Sequence, residues 1–221
     1  MNGKPPFEID IAIERIRDAV KPFPKAAMFA LADEGYTSLF EQLIACLISI
    51  RTYDEVTLPT ARRLFERART PDAIRRLTLE EIETLIRDST YADQKAQQIH
   101  TIAEQIAIRY NGELPADLNV LLGFKGIGPK CAHLALGVAC AQPFISVDIH
   151  VHRVTNRWGY VQTSTPEKTT LALEAKLPER YWIEINQLLV PFGKHICVGK
   201  RPHCSTCPVQ PMCQQVGVEH N

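Results

Sequence analysis

The chain has 221 residues, 45% of them hydrophobic and 23% charged, which is enough to bury a real core and excludes a disordered chain. Lysines and arginines number 25, as do aspartates and glutamates, so the net charge of zero excludes binding a polyanion through bulk basicity. The longest clean apolar run, Leu43 to Ile50, is too short to cross a bilayer.

Met1 to Asp10 carries no charged region followed by an apolar one, so no export is expected and the chain is placed in the cytoplasm. In that reducing compartment the seven cysteines are thiols or metal ligands rather than disulfides.

Helical spacing dominates. Ile9, Ala12, Ile13, Ile16 and Val20 form one apolar stripe, stopped by Pro22 and Pro24. Ser38-Leu-Phe-Glu41 is a capping box for a helix running to Ile50. Pro59 sits either in the first turn of a helix from Thr57 or inside one from Asp54. The following Arg62, Arg63, Arg67, Arg69, Arg75 and Arg76 are mixed with Glu66 and Asp72 and read as a solvated face rather than a DNA-facing one. A second capping box, Thr78 to Glu81, opens a short helix ending near Ile86. Ala96, Ile99, Ile102, Ala103, Ile106 and Tyr110 make a longer amphipathic helix after Asp93, closed by Asn111-Gly112. Thr165-Pro166 starts another helix, and Pro178 precedes a last one towards Gly193. No stretch alternates as a strand does, so the fold class is all-α.

Between a short helix ending at Leu122 and an apolar one from Cys131 lies Phe124-Lys125-Gly126-Ile127-Gly128-Pro129-Lys130. Gly126 and Gly128 allow a sharp hairpin, with Ile127 plugging it onto its two helices. The amides opening the second helix favour an anion, so the hairpin can grip a phosphate without a basic patch. A plain helix–helix turn fits the same residues.

Lys130 lies in the first turn of that second helix. An ordinary lysine has roughly one amine in a few thousand neutral at pH 7. The positive end of a helix, with partial burial, lowers its pKa towards that of a usable nucleophile; a solvated lysine is the plain alternative. Asp148 caps the helix that starts at Ile149, and a carboxylate so held can take a proton or stabilise a sugar cation. His150 and His152 lack metal-ligand spacing and read as packing or hydrogen-bonding residues.

Cys197-x6-Cys204-x2-Cys207-x5-Cys213, interrupted by glycine and prolines, forms a loop that needs a metal to order it. Only one pair is tight, which favours an iron–sulfur cluster over zinc. Lys200 and Arg201 in its first gap suit phosphate contacts or plain exposure. Cys46, Cys131 and Cys140 lie in apolar helical stretches and read as core.

Together, F-K-G-I-G-P-K, V-D-I-H and the cysteine spacing resemble the endonuclease III family of DNA glycosylases, over about residue 38 to Cys213. The resemblance implies a six-helix barrel over residues 33–142 holding the helix–hairpin–helix (118–141), and a cluster domain from 1–32 and 143–221. It implies Lys130 as nucleophile, Asp148 as its acidic partner, and a [4Fe–4S] cluster on Cys197, Cys204, Cys207 and Cys213. The implied activity is removal of oxidised pyrimidines from double-stranded DNA, with β-elimination at the resulting abasic site, by a nucleoid-associated monomer. Adenine-excising relatives lack this lysine and carry a further C-terminal domain, whereas this chain ends eight residues after Cys213.

Three departures stand out. Arg51 replaces the family's inserted glutamine, Tyr91 its leucine wedge, and Lys125 the hairpin proline. An arginine can donate to an orphaned base and an aromatic ring can stack on one. A monofunctional glycosylase, or a non-catalytic iron–sulfur module that binds DNA or senses redox state, remains an alternative reading of the same motifs.

Overall fold

The computed structural model describes residues 4–219. The first three residues of the stretch read for an export leader lie outside the described residues. Among the described residues there is no strand, and no helix is long and apolar enough to cross a membrane. The chain divides into two units, Met1–Ala26 with Ile145–Asn221, and Ala27–Phe144.

The continuous unit holds α2 (Ala27–Asp33), α3 (Leu39–Ser49), α4 (Asp54–Arg67), α5 (Pro71–Ile74), α6 (Leu79–Ile86), α7 (Ala92–Arg109), α8 (Leu118–Leu122) and α9 (Pro129–Cys140). Its axis is α3, in which every residue from Leu39 to Ile48 is buried. Each of its buried leucines and isoleucines contributes about 1.5–3 kcal/mol by leaving water. Polar groups on so enclosed a helix need partners. The Gln42 side-chain amide donates to the carbonyls of Met28 (3.3 Å) and Tyr36 (2.6 Å), and Glu41 accepts from Ser38 and from Arg69. The helix α9 packs along α3 more extensively than any other helix does.

Both expected capping boxes form, Ser38 with Glu41 and Thr78 with Glu81. The helix α4 starts at Asp54, so Pro59 lies in its interior, where residue 59 has no N–H to donate to the helical ladder. Within the arginine-rich stretch, Arg75 pairs locally with Asp72 at 2.7 Å, whereas other arginines pair with acids remote in sequence. Arg62 pairs with Glu34, Arg63 with Asp88, and Arg69 with Glu41, rather than with Glu66.

The discontinuous unit holds α1 (Ile9–Val20), α10 (Ile149–Arg157), α11 (Pro166–Glu174) and α12 (Glu184–His195). Here α12 packs against α10 and α1, burying Ile13, Ile16, Val151, Val154, Trp158, Leu189 and Phe192 in one core. The expected last helix is delayed: after Pro178 the chain makes a single 3-10 turn, Glu179–Tyr181, before α12 begins.

Candidate functional site

The hairpin is built by a four-residue turn. The Ile127 N–H donates to the Phe124 carbonyl at 3.1 Å, which puts Lys125 and Gly126 at the turn's centre. Gly126 has φ +94°, in the left-handed region where a side chain is strained. A Cβ there would meet only the movable end of the Gln98 side chain, at 2.5 Å, so it is the backbone conformation that requires glycine. Ile127 is buried and anchors the turn. Lys125 is exposed, beside a groove of α7 lined by Gln94, Gln97, Gln98 and Thr101. Gly128 caps α9 with extended backbone, Pro129 follows it, and Lys130 is the second helical residue. The first amides of α9 therefore open at the hairpin with the helix's positive end behind them.

Lys130 is half-buried, and its Nζ lies 3.9 Å from the Cys46 sulfur. Cys46 is wholly buried in α3 and Cys131 nearly so, as a core reading expects; Cys140 is only half-buried. The Cys131 thiol donates to the Cys46 carbonyl at 3.6 Å. Spacing gave no hint that Cys46 lies against the lysine. Contact across 84 residues depends on how α3 meets α9, which no local pattern encodes.

Arg51 and Tyr91 are brought together. Both are non-glycine residues in the left-handed region, with φ 54° and 58°. Their side chains meet, with the guanidinium carbon 5.9 Å from the ring centre. Their backbones are tied as well: the Thr90 hydroxyl donates to the Arg51 carbonyl at 2.8 Å, and the Thr90 N–H donates to the Thr52 hydroxyl. Beneath them lies Lys95, a lysine buried to 3% exposure that the sequence reading passed over. Its Nζ donates to the carbonyls of Ile48 (2.7 Å) and Ile50 (2.8 Å) and to Thr52 Oγ1 (3.0 Å). Burial lowers its pKa to about 8. Its position on the apolar stripe of Ile99, Ile102 and Ile106 was the available signal.

In the other unit Asp148 caps α10. Its Oδ1 accepts from the His150 and Val151 N–H groups, both at 2.9 Å, so one carboxylate oxygen does the capping. The histidines bond locally: His152 Nδ1 lies 2.6 Å from Thr169 Oγ1, and His150 Nδ1 lies 3.3 Å from Arg153 Nη2.

Cys197, Cys204, Cys207 and Cys213 line one cavity with Arg157 and Trp158. Burial raises the Cys197, Cys207 and Cys213 thiols, Cys207 to about 11, so thiolates here need positive charge beside them. Arg157 supplies some, donating to Cys197 Sγ at 3.4 Å and to the Val198 and Gly199 carbonyls at 3.1 and 2.7 Å. Arg157 Nε and Trp158 Nε1 are buried donors with no acceptor among the described residues. A sulfur-rich group in this cavity fits both the thiols and those donors. Among the described residues, no three His, Cys, Asp or Glu side chains converge on a point suited to a single metal ion. Lys200 and Arg201 are exposed and share Glu219 as an ion-pair partner, at 3.3 and 3.8 Å.

The comparisons agree with one another. Residues 44–179 match the family model described as HhH-GPD superfamily base excision DNA repair protein. Endonuclease III of Thermotoga maritima is 38% identical over 201 residues, covering 91% of each chain. The chloroplastic endonuclease III homolog 2 of Arabidopsis thaliana is 37% identical over 96% of this chain, which spans 58% of that longer relative. A solved endonuclease III, trapped as a covalent intermediate with DNA, superposes with a TM-score of 0.79 at 27% identity, covering 94% of both chains. With its all-helical fold and its hairpin followed by a lysine, this chain belongs to the HhH-GPD superfamily of base excision DNA repair proteins, and within it to the endonuclease III family of DNA glycosylases with lyase activity.

Proposed function

We propose that Lys130 is the nucleophile with which this chain removes oxidised pyrimidines from duplex DNA and then cleaves at the abasic site. The observation that carries this reading is the placement of Lys130: second residue of α9, directly after the tight hairpin, and half-buried beside Cys46.

In this reading the barrel domain, residues 33–142, falls within the unit Ala27–Phe144, and the hairpin amides from Gly126 to Gly128, with Lys125, hold a backbone phosphate. The damaged nucleotide turns out of the stack, and Arg51 and Tyr91 fill the vacated space. The Lys130 amine attacks C1′ as the glycosidic bond breaks, and the base leaves with that bond's electron pair. The Asp148 carboxylate, held at its cap, stabilises the developing sugar cation and accepts a proton from Nζ; the C1′–O4′ bond then breaks, that proton passes to O4′, and the Nζ lone pair completes the imine. Loss of a proton from C2′ then expels the 3′ phosphate.

The four cysteines, Arg157 and Trp158, which line one cavity, would hold a [4Fe–4S] cluster. When bound, the cluster supplies a rigid brace to its loop, and Lys200 and Arg201 on that loop face a second phosphate. The protein acts as a monomer in this account. The test is borohydride trapping on duplexes bearing an oxidised pyrimidine or an abasic site. Wild type forms a covalent adduct and nicks the strand, and Lys130→Ala forms none; an adduct that survives Lys130→Ala rejects the assignment.

A further inference from the structure

Lys95 lies in the first turn of α7, buried among the apolar residues of that helix. A buried ammonium is tolerated only where its protons find acceptors. This one has three N–H groups and meets three oxygens, the Ile48 and Ile50 carbonyls and Thr52 Oγ1. An apolar side chain of the same length would fill the space without giving up the hydration of a charge, so the ammonium serves what it binds.

It binds the turn that follows α3. Ile50 and Thr52 flank Arg51, so the ammonium grips the chain on both sides of that left-handed residue. The grip continues to Tyr91. Thr52 Oγ1 also accepts from the Thr90 N–H at 3.2 Å, and the Thr90 hydroxyl donates to the Arg51 carbonyl. The backbone N–H of Lys95 itself donates to the Tyr91 carbonyl at 3.0 Å. Lys95 thus fixes Arg51 through its side chain and Tyr91 through its backbone, with Thr52 and Thr90 joining the two turns. Both turns display their side chains to solvent.

We propose that Lys95 is a positioning residue for the opening of the duplex: its ammonium keeps Arg51 and Tyr91 side by side in the arrangement that enters the vacated space. This rests on the reading of Arg51 and Tyr91 as the pair that fills that space, and adds the group that sets them. Lys95 is sealed beneath the turn and acts only through it. The contact between the two exposed side chains is a weaker force than the strain of two left-handed residues, so the pair does not hold itself. Side chains that had to find their places while entering the stack would lose binding energy to ordering; turns locked beforehand do not.

The experiment uses the whole chain and a duplex with one abasic site opposite 2-aminopurine. With enzyme in excess, it reads the single-turnover rate of strand cleavage and the aminopurine fluorescence change on binding. Lys95→Met cleaves about tenfold more slowly than wild type and gives a smaller fluorescence change. Arg51→Ala with Tyr91→Ala loses both in the same way. Adding Lys95→Met to that pair costs nothing further, because no side chains remain to be positioned. Thr52→Val removes the hydroxyl that joins Lys95 to Thr90, leaves both carbonyls bonded, and loses in the same direction; it serves alone if Lys95→Met fails to fold. Wild-type behaviour of Lys95→Met in either quantity overturns the proposal. So do losses that multiply in the triple variant, which mark a general effect on the fold. If Arg51→Ala with Tyr91→Ala behaves as wild type, the role of the pair itself is rejected, a failure distinct from that of Lys95.

Discussion

Arg51 and Tyr91, forty residues apart, each hold left-handed backbone, and their side chains meet with the guanidinium 5.9 Å from the ring. Left-handed backbone costs a residue with a side chain about 1–2 kcal/mol, so both strained turns are held by their surroundings. The Thr90 hydroxyl and the Lys95 ammonium, bonded to the intervening carbonyls, are that support.

The Arg51–Tyr91 contact is therefore measurable as a coupling. In a double-mutant cycle with Arg51→Ala and Tyr91→Ala, urea unfolding gives an interaction of about 0.5–1 kcal/mol, the range for an exposed cation–π pair. Strictly additive losses show that the two side chains do not sense each other.

Lys95 gives stability a dependence on alkaline pH. Its folded pKa of about 8 lies below the ordinary lysine value of 10.5, so between those values the unfolded chain binds more protons than the folded one. Stability from this group is lowest below pH 8 and rises as pH passes from about 8 towards 10.5, by at most about 1.4 kcal/mol per unit. Lys95→Met keeps the stem and removes the amine. Chemical denaturation across that window should show wild type gaining on Lys95→Met; parallel curves mean that the ammonium is not disfavoured by burial.

Asp148 separates charge from capping. Asparagine caps helices as well as aspartate does, so Asp148→Asn should unfold within about 0.5 kcal/mol of wild type, whereas Asp148→Ala loses about 1 kcal/mol. Base release should nevertheless fall about a hundredfold or more in Asp148→Asn, the range for a lost acid–base group. Thermal melts and single-turnover assays read the two effects apart. Full activity in Asp148→Asn leaves the carboxylate only its cap.

Gly126→Ala strains the hairpin mainly through its left-handed φ and crowds the movable end of Gln98 as well. Adding Gln98→Ala relieves the contact alone. Unfolding should recover in part in the double variant, leaving about 1–2 kcal/mol from the backbone, and fluorescence anisotropy should show both variants binding DNA more weakly. Complete recovery assigns the whole cost to the side-chain contact.

Loss of the proposed cluster should loosen one unit selectively. Stripping the metal, or Cys207→Ser, should expose the amides of Ile196 to Cys213 and the end of α10 to hydrogen exchange while α3 and α9 stay protected. The Val216 and Gln214 amides bond the Arg157 and Trp158 carbonyls, so that end of α10 is tied to the cysteine loop. Equal loss of protection in both units contradicts this.

What the sequence carried was mostly local. A capping box joins residues three apart, so Ser38 with Glu41 and Thr78 with Glu81 were legible, as was the glycine turn at Gly126. The cysteine spacing is local in the same sense. The ion-pair partners of Arg62 and Arg69 were not legible, because Glu34 and Glu41 reach them only after α2 and α3 have packed. Cys46 looked like any small core residue, since its significance lies in what α9 sets against it. Lys95 broke the pattern visibly, as a charge on an apolar stripe, and that kind of violation marks a buried polar group with a task.

The division of the chain also bears on its synthesis. Ala27–Phe144 leaves the ribosome as one continuous block, whereas α1 packs on α12, which is made near the end. The earliest helix is thus among the last to find its seat, and until then its apolar stripe travels uncovered beside an already folded neighbour. A nascent chain long enough for Phe144 to have cleared the ribosome, but lacking α12, should offer that stripe to chaperones, while its middle portion already resists protease.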